Sequence, residues 1–206
     1  MGIITQADLD RALPYPTYRD QVAELLEQGK ATGTNHSEAY LHYSKMGLTR
    51  MRRLDKTTVL SPELTALLSR LPEMEWIVLS EGWCGDAGQN VPLMYQLAQA
   101  SQGRIRLGVL LRDENLSIMD EYLTDGGRSI PKLIMLQRDT LEELGTWGPR
   151  PVPVQEIVQE HKRNPVKDYS EISEEVQRWY AQDKTQTLQR ELLILLQGIA
   201  YPTAVV

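Results

Sequence analysis

Apolar positions along the chain change their period near residue 60. Before that point they recur at helical spacing. Thr5 is placed to cap a short helix over 6–12, which Pro14 and Pro16 would end. Thr17 then opens a second helix with Val22, Leu25 and Leu26 on one face and Gly29 as its stop signal. A polar connector, GKATGTNHSEAY, leads into a third helix from Ser37, whose Tyr40, Tyr43, Gly47, Met51 and Leu54 fall close to one face. From Ser61 the elements are shorter and alternate. Ser61 and Pro62 start a helix through Arg70, closed by Pro72. A strand over 76–80, a helix over 85–101, a strand over 105–111 and a short helix over 116–123 follow. Strands over 133–136 and 141–147 are joined by a turn. The order from Trp76 is β-α-β-α-β-β, which predicts parallel strands joined by helices and finished with a hairpin. GPRPVPV is a rigid, extended linker. Beyond it lie a helix over 154–161 and one long terminal helix from about Ser170, with Ile172, Val176, Trp179, Leu188, Leu192 and Leu195 as its apolar residues. These suit packing on the domain, with self-association into an oligomer left open.

Composition narrows the function classes. The 206 residues are enough for one core with a sizeable extension, and a net charge of -6 argues against a general nucleic-acid or anionic-membrane binder. The amino terminus has no basic start before an apolar core, and Leu192 to Leu196 is far too short to span a membrane. A single cysteine excludes an internal disulfide and fits a reducing, cytoplasmic setting. His36 and His42 miss the i,i+4 ligand spacing and His161 stands alone, so neither a metal nor a cofactor is expected. Lys45, Arg50, Arg52, Arg53 and Lys56 on the third helix read either as a docking patch for an anionic group or as a solvated face with cations near a helix C-terminus, the plainer reading.

Chemistry concentrates in WIVLSEGWCGDAGQNVP, residues 76–92. There a strand runs into a turn and the sole cysteine, Cys84, stands where a helix begins. Backbone N–H groups and the helix dipole favour a thiolate at that place.

Trp83-Cys84-Gly85 before a helix, Pro92 within it, and Gly127-Arg128-Ser129-Ile130-Pro131 before a hairpin together resemble the thioredoxin superfamily. GKATGTNHSEAY, the MRRLDK run and WCGDA are similar to bacterial thioredoxin-like proteins with an N-terminal helical extension. The resemblance implies an α/β fold, a thioredoxin-like three-layer α/β/α sandwich with N-terminal and C-terminal helical extensions. Residues 1–60 would form the N-terminal helical extension, 61–165 the thioredoxin-like domain, and 166–206 a C-terminal helix packed on it. It also implies a cis Ile130–Pro131 bond facing the thiol, with Cys84 as the catalytic residue and Trp83, Gly85, Asp86, Ile130 and Pro131 forming a substrate groove.

The chain departs from that pattern at three positions. Ala87 stands where the second cysteine would be, so an internal dithiol cycle is impossible. Val78 replaces a buried aspartate, and Asp86 replaces a proline. A carboxylate ~6 Å from the sulfur opposes the thiolate by ~0.7 kcal/mol in water and ~2.8 kcal/mol at an effective dielectric near 20. The helix terminus favours it by about 0.3 to 1 kcal/mol, ~2 when partly buried. The two nearly cancel, which predicts a thiol near its free value of about 8.5. Asp86 also reads simply as a first-turn acid.

Two function classes follow. The first is a monothiol redox protein that forms a mixed disulfide with a protein or low-molecular-weight thiol and is resolved by an external thiol. In it Trp83 and the backbone at Ile130 position the partner's extended segment, with Gln89 and Glu81 as further polar groups. The second is a non-catalytic thioredoxin-fold module that binds a protein partner.

Overall fold

The computed structural model describes residues 2–166 and 168–202. Residue 1 and residues 203–206, the outer limits expected for the two extensions, lie outside the described residues. Helix α1 (Gln6–Arg11) opens with Asp8 accepting the Thr5 N–H at 2.8 Å, a reciprocal cap. Strand β1 (Leu13–Pro14) follows, and α2 (Tyr15–Glu27) begins two residues before the expected Thr17. Pro16 opens this helix instead of ending the previous one, because a first-turn residue has no N–H obligation and proline's φ is already helical. Gly29, at φ +69°, provides the expected stop. Helix α3 (Glu38–Thr57) turns Ser44, Gly47, Leu48, Met51 and Leu54 inward at spacings of three and four. Tyr15 and Arg19 both bind Asp55, at 2.8 and 2.7 Å, and tie α2 to α3.

The sheet has the order β1-β3-β2-β4-β5. Strands β2 (Met74–Ser80) and β3 (Ile105–Leu111) are parallel, while β4 (Lys132–Gln137) runs antiparallel to β2 and forms a hairpin with β5 (Glu143–Trp147). Central β2 is buried along nearly its whole length, which is why it reads as an unbroken apolar run. Val78 at its middle is fully buried between Val109 and Leu133. The edge strand β1 was not legible in the sequence. It is two residues long and contains a proline, which only an edge tolerates.

Helices α4 (Pro62–Leu68) and α5 (Ala87–Ala100), a 3-10 turn over Arg112–Glu114 and α6 (Leu116–Met119) complete the alternating part. The extended linker is confined to 148–151, because α7 (Val152–Arg163) takes up its last three residues with Pro153 in the first turn, and two helices follow where one was expected, α8 (Tyr169–Asp183) and α9 (Gln186–Ala200). Lys184 and Thr185, both left-handed at φ 50° and 69°, break the helix between them. The break lets the two halves bury different faces. Ile172, Val176 and Tyr180 of α8 pack on Val154 of α7, whereas Leu188, Leu192 and Leu196 of α9 enter the main core. No described helix is long and apolar enough to cross a membrane.

Candidate functional site

Strand β2 ends at Ser80, and the chain turns through Glu81 to the sole cysteine, with the Cys84 N–H donating to the Glu81 carbonyl at 3.0 Å. Helix α5 then starts at Ala87, slightly later than expected. This turn lies against α3 at a contact that only glycines permit. A Cβ on Gly47 would stand 2.6 Å from the Gly82 carbonyl oxygen, and one on Gly88 would stand 3.1 Å from the Gly47 Cα. On the other side, the loop before β4 presents Ile130, joined to Pro131 by a cis bond.

Between these walls Cys84 is 8% exposed. Its Sγ–H donates to the Ile130 carbonyl at 3.2 Å, and its sulfur accepts the Ala87 N–H at 3.4 Å. Burial is the largest influence on the thiol and pushes it up to about 12, with the Asp86 charge adding to the rise. Backbone N–H groups of Ala87 and Asp86, then Arg150, pull the other way without overcoming it. A balance of Asp86 against the helix terminus alone predicts a thiol near its free value of about 8.5, and desolvation outweighs both.

Asp86 is not an open charge. Arg150 Nε and Nη2 both donate to its Oδ2, at 2.9 and 2.6 Å, and the Tyr180 hydroxyl donates to Oδ1 at 2.8 Å. Asn90 donates to the Tyr180 oxygen at 3.0 Å, so α5, the linker and α8 meet at one carboxylate. Burial disfavours the Arg150 charge, but Asp86 and then Tyr180 raise it above its ordinary value. Next to this cluster, Gln89 is buried, donates to Gln177 at 2.8 Å and accepts from Arg53 at 3.3 Å. Arg50 is half-buried, with Nη1 3.4 Å from where a Gly85 Cβ would stand. Of the basic residues of α3, Arg50 is thus turned toward the site, while Lys45, Arg52, Arg53 and Lys56 are exposed as the solvated-face reading has it.

Glu81 is fully buried, and its Oε1 accepts the Asp113 N–H at 2.9 Å. Burial raises its carboxyl above the usual range, against hydrogen bonds from Thr32 and Asp113. It anchors the 3-10 turn that carries Arg112, whose guanidinium lies 4.7 Å from the Trp83 ring centroid. Tyr40 also packs on Trp83, with ring centroids 5.1 Å apart.

Trp83, Cys84, Gly85, Asp86 and Ile130 line one depression of about 450 Å³, together with Tyr40, Tyr43, Arg112, Arg128, Ser129 and Arg150. Pro131 stands behind Ile130 without lining it. Arg128 stands in the motif before Ile130 but carries no role there, and Arg112, Arg150, Gln177 and Tyr180 were not singled out in the sequence. Each of these four is an ordinary polar residue there, and only the three-dimensional arrangement brings it to the site. Among the described residues, no three His, Cys, Asp or Glu side chains gather as metal ligands.

A family model described as Thioredoxin matches residues 33–182. A crystal structure of a protein of unknown function from Pseudomonas aeruginosa is similar over 95% of this chain and 98% of that one, at 16% identity and a TM-score of 0.62. An HIV epitope-scaffold is similar over 85% and 97%, at 18% identity and a TM-score of 0.51. At such identities these likenesses concern the fold. Among curated proteins, none matches the chain.

Proposed function

The chain belongs to the thioredoxin family, and from that premise we propose that it is a single-thiol exchange protein. The Cys84 thiolate attacks one sulfur of a disulfide R–S–S–R; the S–S bond breaks, a Cys84–S–S–R mixed disulfide forms, and RS⁻ leaves with the electron pair and takes up a proton. Ala87 offers no second attack, so an external thiol of a reducing compartment attacks the mixed disulfide and returns Cys84. The observation that carries this reading is the placement of the sulfur. It receives the Ala87 N–H at the start of α5, faces the cis Ile130–Pro131 bond, and lines an open depression. The hydrogen bond to Ile130 and the burial of the thiol make the resting protein slow at neutral pH.

That same burial favours a second reading, a binding module that uses the depression without exchange. Incubation with bis(2-hydroxyethyl) disulfide followed by intact-mass measurement separates the two. Exchange gives one adduct on the wild type, none on Cys84→Ser, and release by dithiothreitol. A folded wild type that stays unmodified leaves the binding module.

A further inference from the structure

This inference rests on the exchange reading and concerns its substrate. Arginines surround the depression over Cys84, although the whole chain carries a net charge of -6. Arg112 lies over Trp83, with Nε and Nη2 donating to Asp113 at 2.9 and 2.7 Å. Arg128 clasps Asp120 through Nε and Nη2, at 2.6 and 2.8 Å, and its Nη1 has no acceptor among the described residues. Arg150 is held on Asp86, and half-buried Arg50 beside Gly85 adds a positive charge toward Cys84. Of the nearby carboxylates, Glu81, Asp113 and Asp120 do not line the depression. Asp86 does, but both its oxygens are engaged. Among the described residues, three guanidinium groups thus line the depression against the one carboxylate of Asp86, with Asp113, Asp120 and the buried Glu81 set behind them. Tyr40 and Tyr43 from α3 add a side wall, so the space suits a small molecule better than a long extended strand.

We propose that the disulfide exchanged at Cys84 is a small acidic one, with a carboxylate near its sulfur atoms that Arg128 and Arg112 receive. The acid thiol leaves as the S–S bond breaks, and the external thiol regenerates Cys84 as described above.

The test compares three symmetrical disulfides: anionic dithiodiglycolate, neutral bis(2-hydroxyethyl) disulfide and cationic cystamine. The rate of mixed-disulfide formation at Cys84 is measured by mass spectrometry, and each value is divided by that compound's rate with 2-mercaptoethanol. At low salt dithiodiglycolate should outrun cystamine by about tenfold, with the gap closing at high salt and in Arg128→Ala. The Arg128–Asp120 pair is about half exposed, at 47% and 46%, so this variant leaves the fold intact. Equal normalised rates, or a faster cystamine, overturn the inference while exchange stands. If none of the three reacts, exchange itself falls, and dithiodiglycolate is titrated into Cys84→Ser with amide shifts followed by NMR. Shifts at Ser129 and Ile130 that vanish in Arg128→Ala uphold an acid-binding site, and their absence overturns it.

Discussion

Asp86 illustrates how one residue's meaning depends on distant partners. Beside a thiol in sequence it is a repelling charge; in the fold it is held by Arg150 and Tyr180, which lie 64 and 94 residues away. The Asp86 and Arg150 side chains are only 12% and 16% exposed, so removing one leaves a poorly hydrated charge without its counterpart. Arg150→Ala should lower stability by roughly 3 kcal/mol in urea unfolding, and Arg150→Met combined with Asp86→Asn should recover much of it. A single variant that unfolds like the wild type would show that water solvates Asp86 well enough. The same dependence on distance explains what was readable here. Trp83, Cys84 and Ile130-Pro131 carry local signatures, whereas Arg150 looks like any surface cation in a proline-rich linker and Tyr180 like one aromatic on a helix face.

At the scale of elements, helices with strong caps and buried strands were legible because burial and periodicity agree within each segment. The helix over 170–200 was not. Its apolar residues stop at Ala181 and resume at Leu188 in the same four-residue register, across the polar run 182–187, and no glycine marks the break. Tertiary packing imposes the kink, because α8 must reach α7 while α9 reaches the main core. Lys184 therefore sits at φ 50°, ψ 44° with a Cβ that disfavours it. A non-glycine residue there costs about 1–2 kcal/mol, and glycine would give back about 0.5–1 kcal/mol through backbone entropy. Lys184→Gly should raise stability by up to about 1 kcal/mol, read as a higher melting temperature. A lower one would mean that the lysine side chain makes a compensating contact.

For the whole molecule, the buried thiol sets a pH dependence. The folded protein holds the Cys84 proton up to about 12, whereas the unfolded chain releases it near its free value. The stability associated with that proton is fully present below about pH 8.5 and is lost as pH rises toward the folded value. By pH 10 the loss should reach about 2 kcal/mol. Tyr15, Tyr18 and Tyr180 are also raised, burial being the main cause, but unfolded tyrosine titrates only near 10. Cys84→Ala should therefore flatten the urea-unfolding profile between about pH 8.5 and 10, relative to its own value at pH 7. A slope unchanged by the substitution would place the responsible group elsewhere.

Gln189 of α9 is buried, accepts the Ser61 N–H at 2.7 Å and donates to the Val59 carbonyl at 3.1 Å. Glu191 binds the Trp147 indole N–H at 2.7 Å and the Val152 N–H at 2.8 Å. These contacts set an order in time. As the chain leaves the ribosome, the link between α3 and α4 has these backbone partners only once α9 has emerged, and Asp86 waits for Tyr180. A nascent chain already carrying Cys84 thus lacks the hydroxyl that holds the neighbouring Asp86 until α8 has been made.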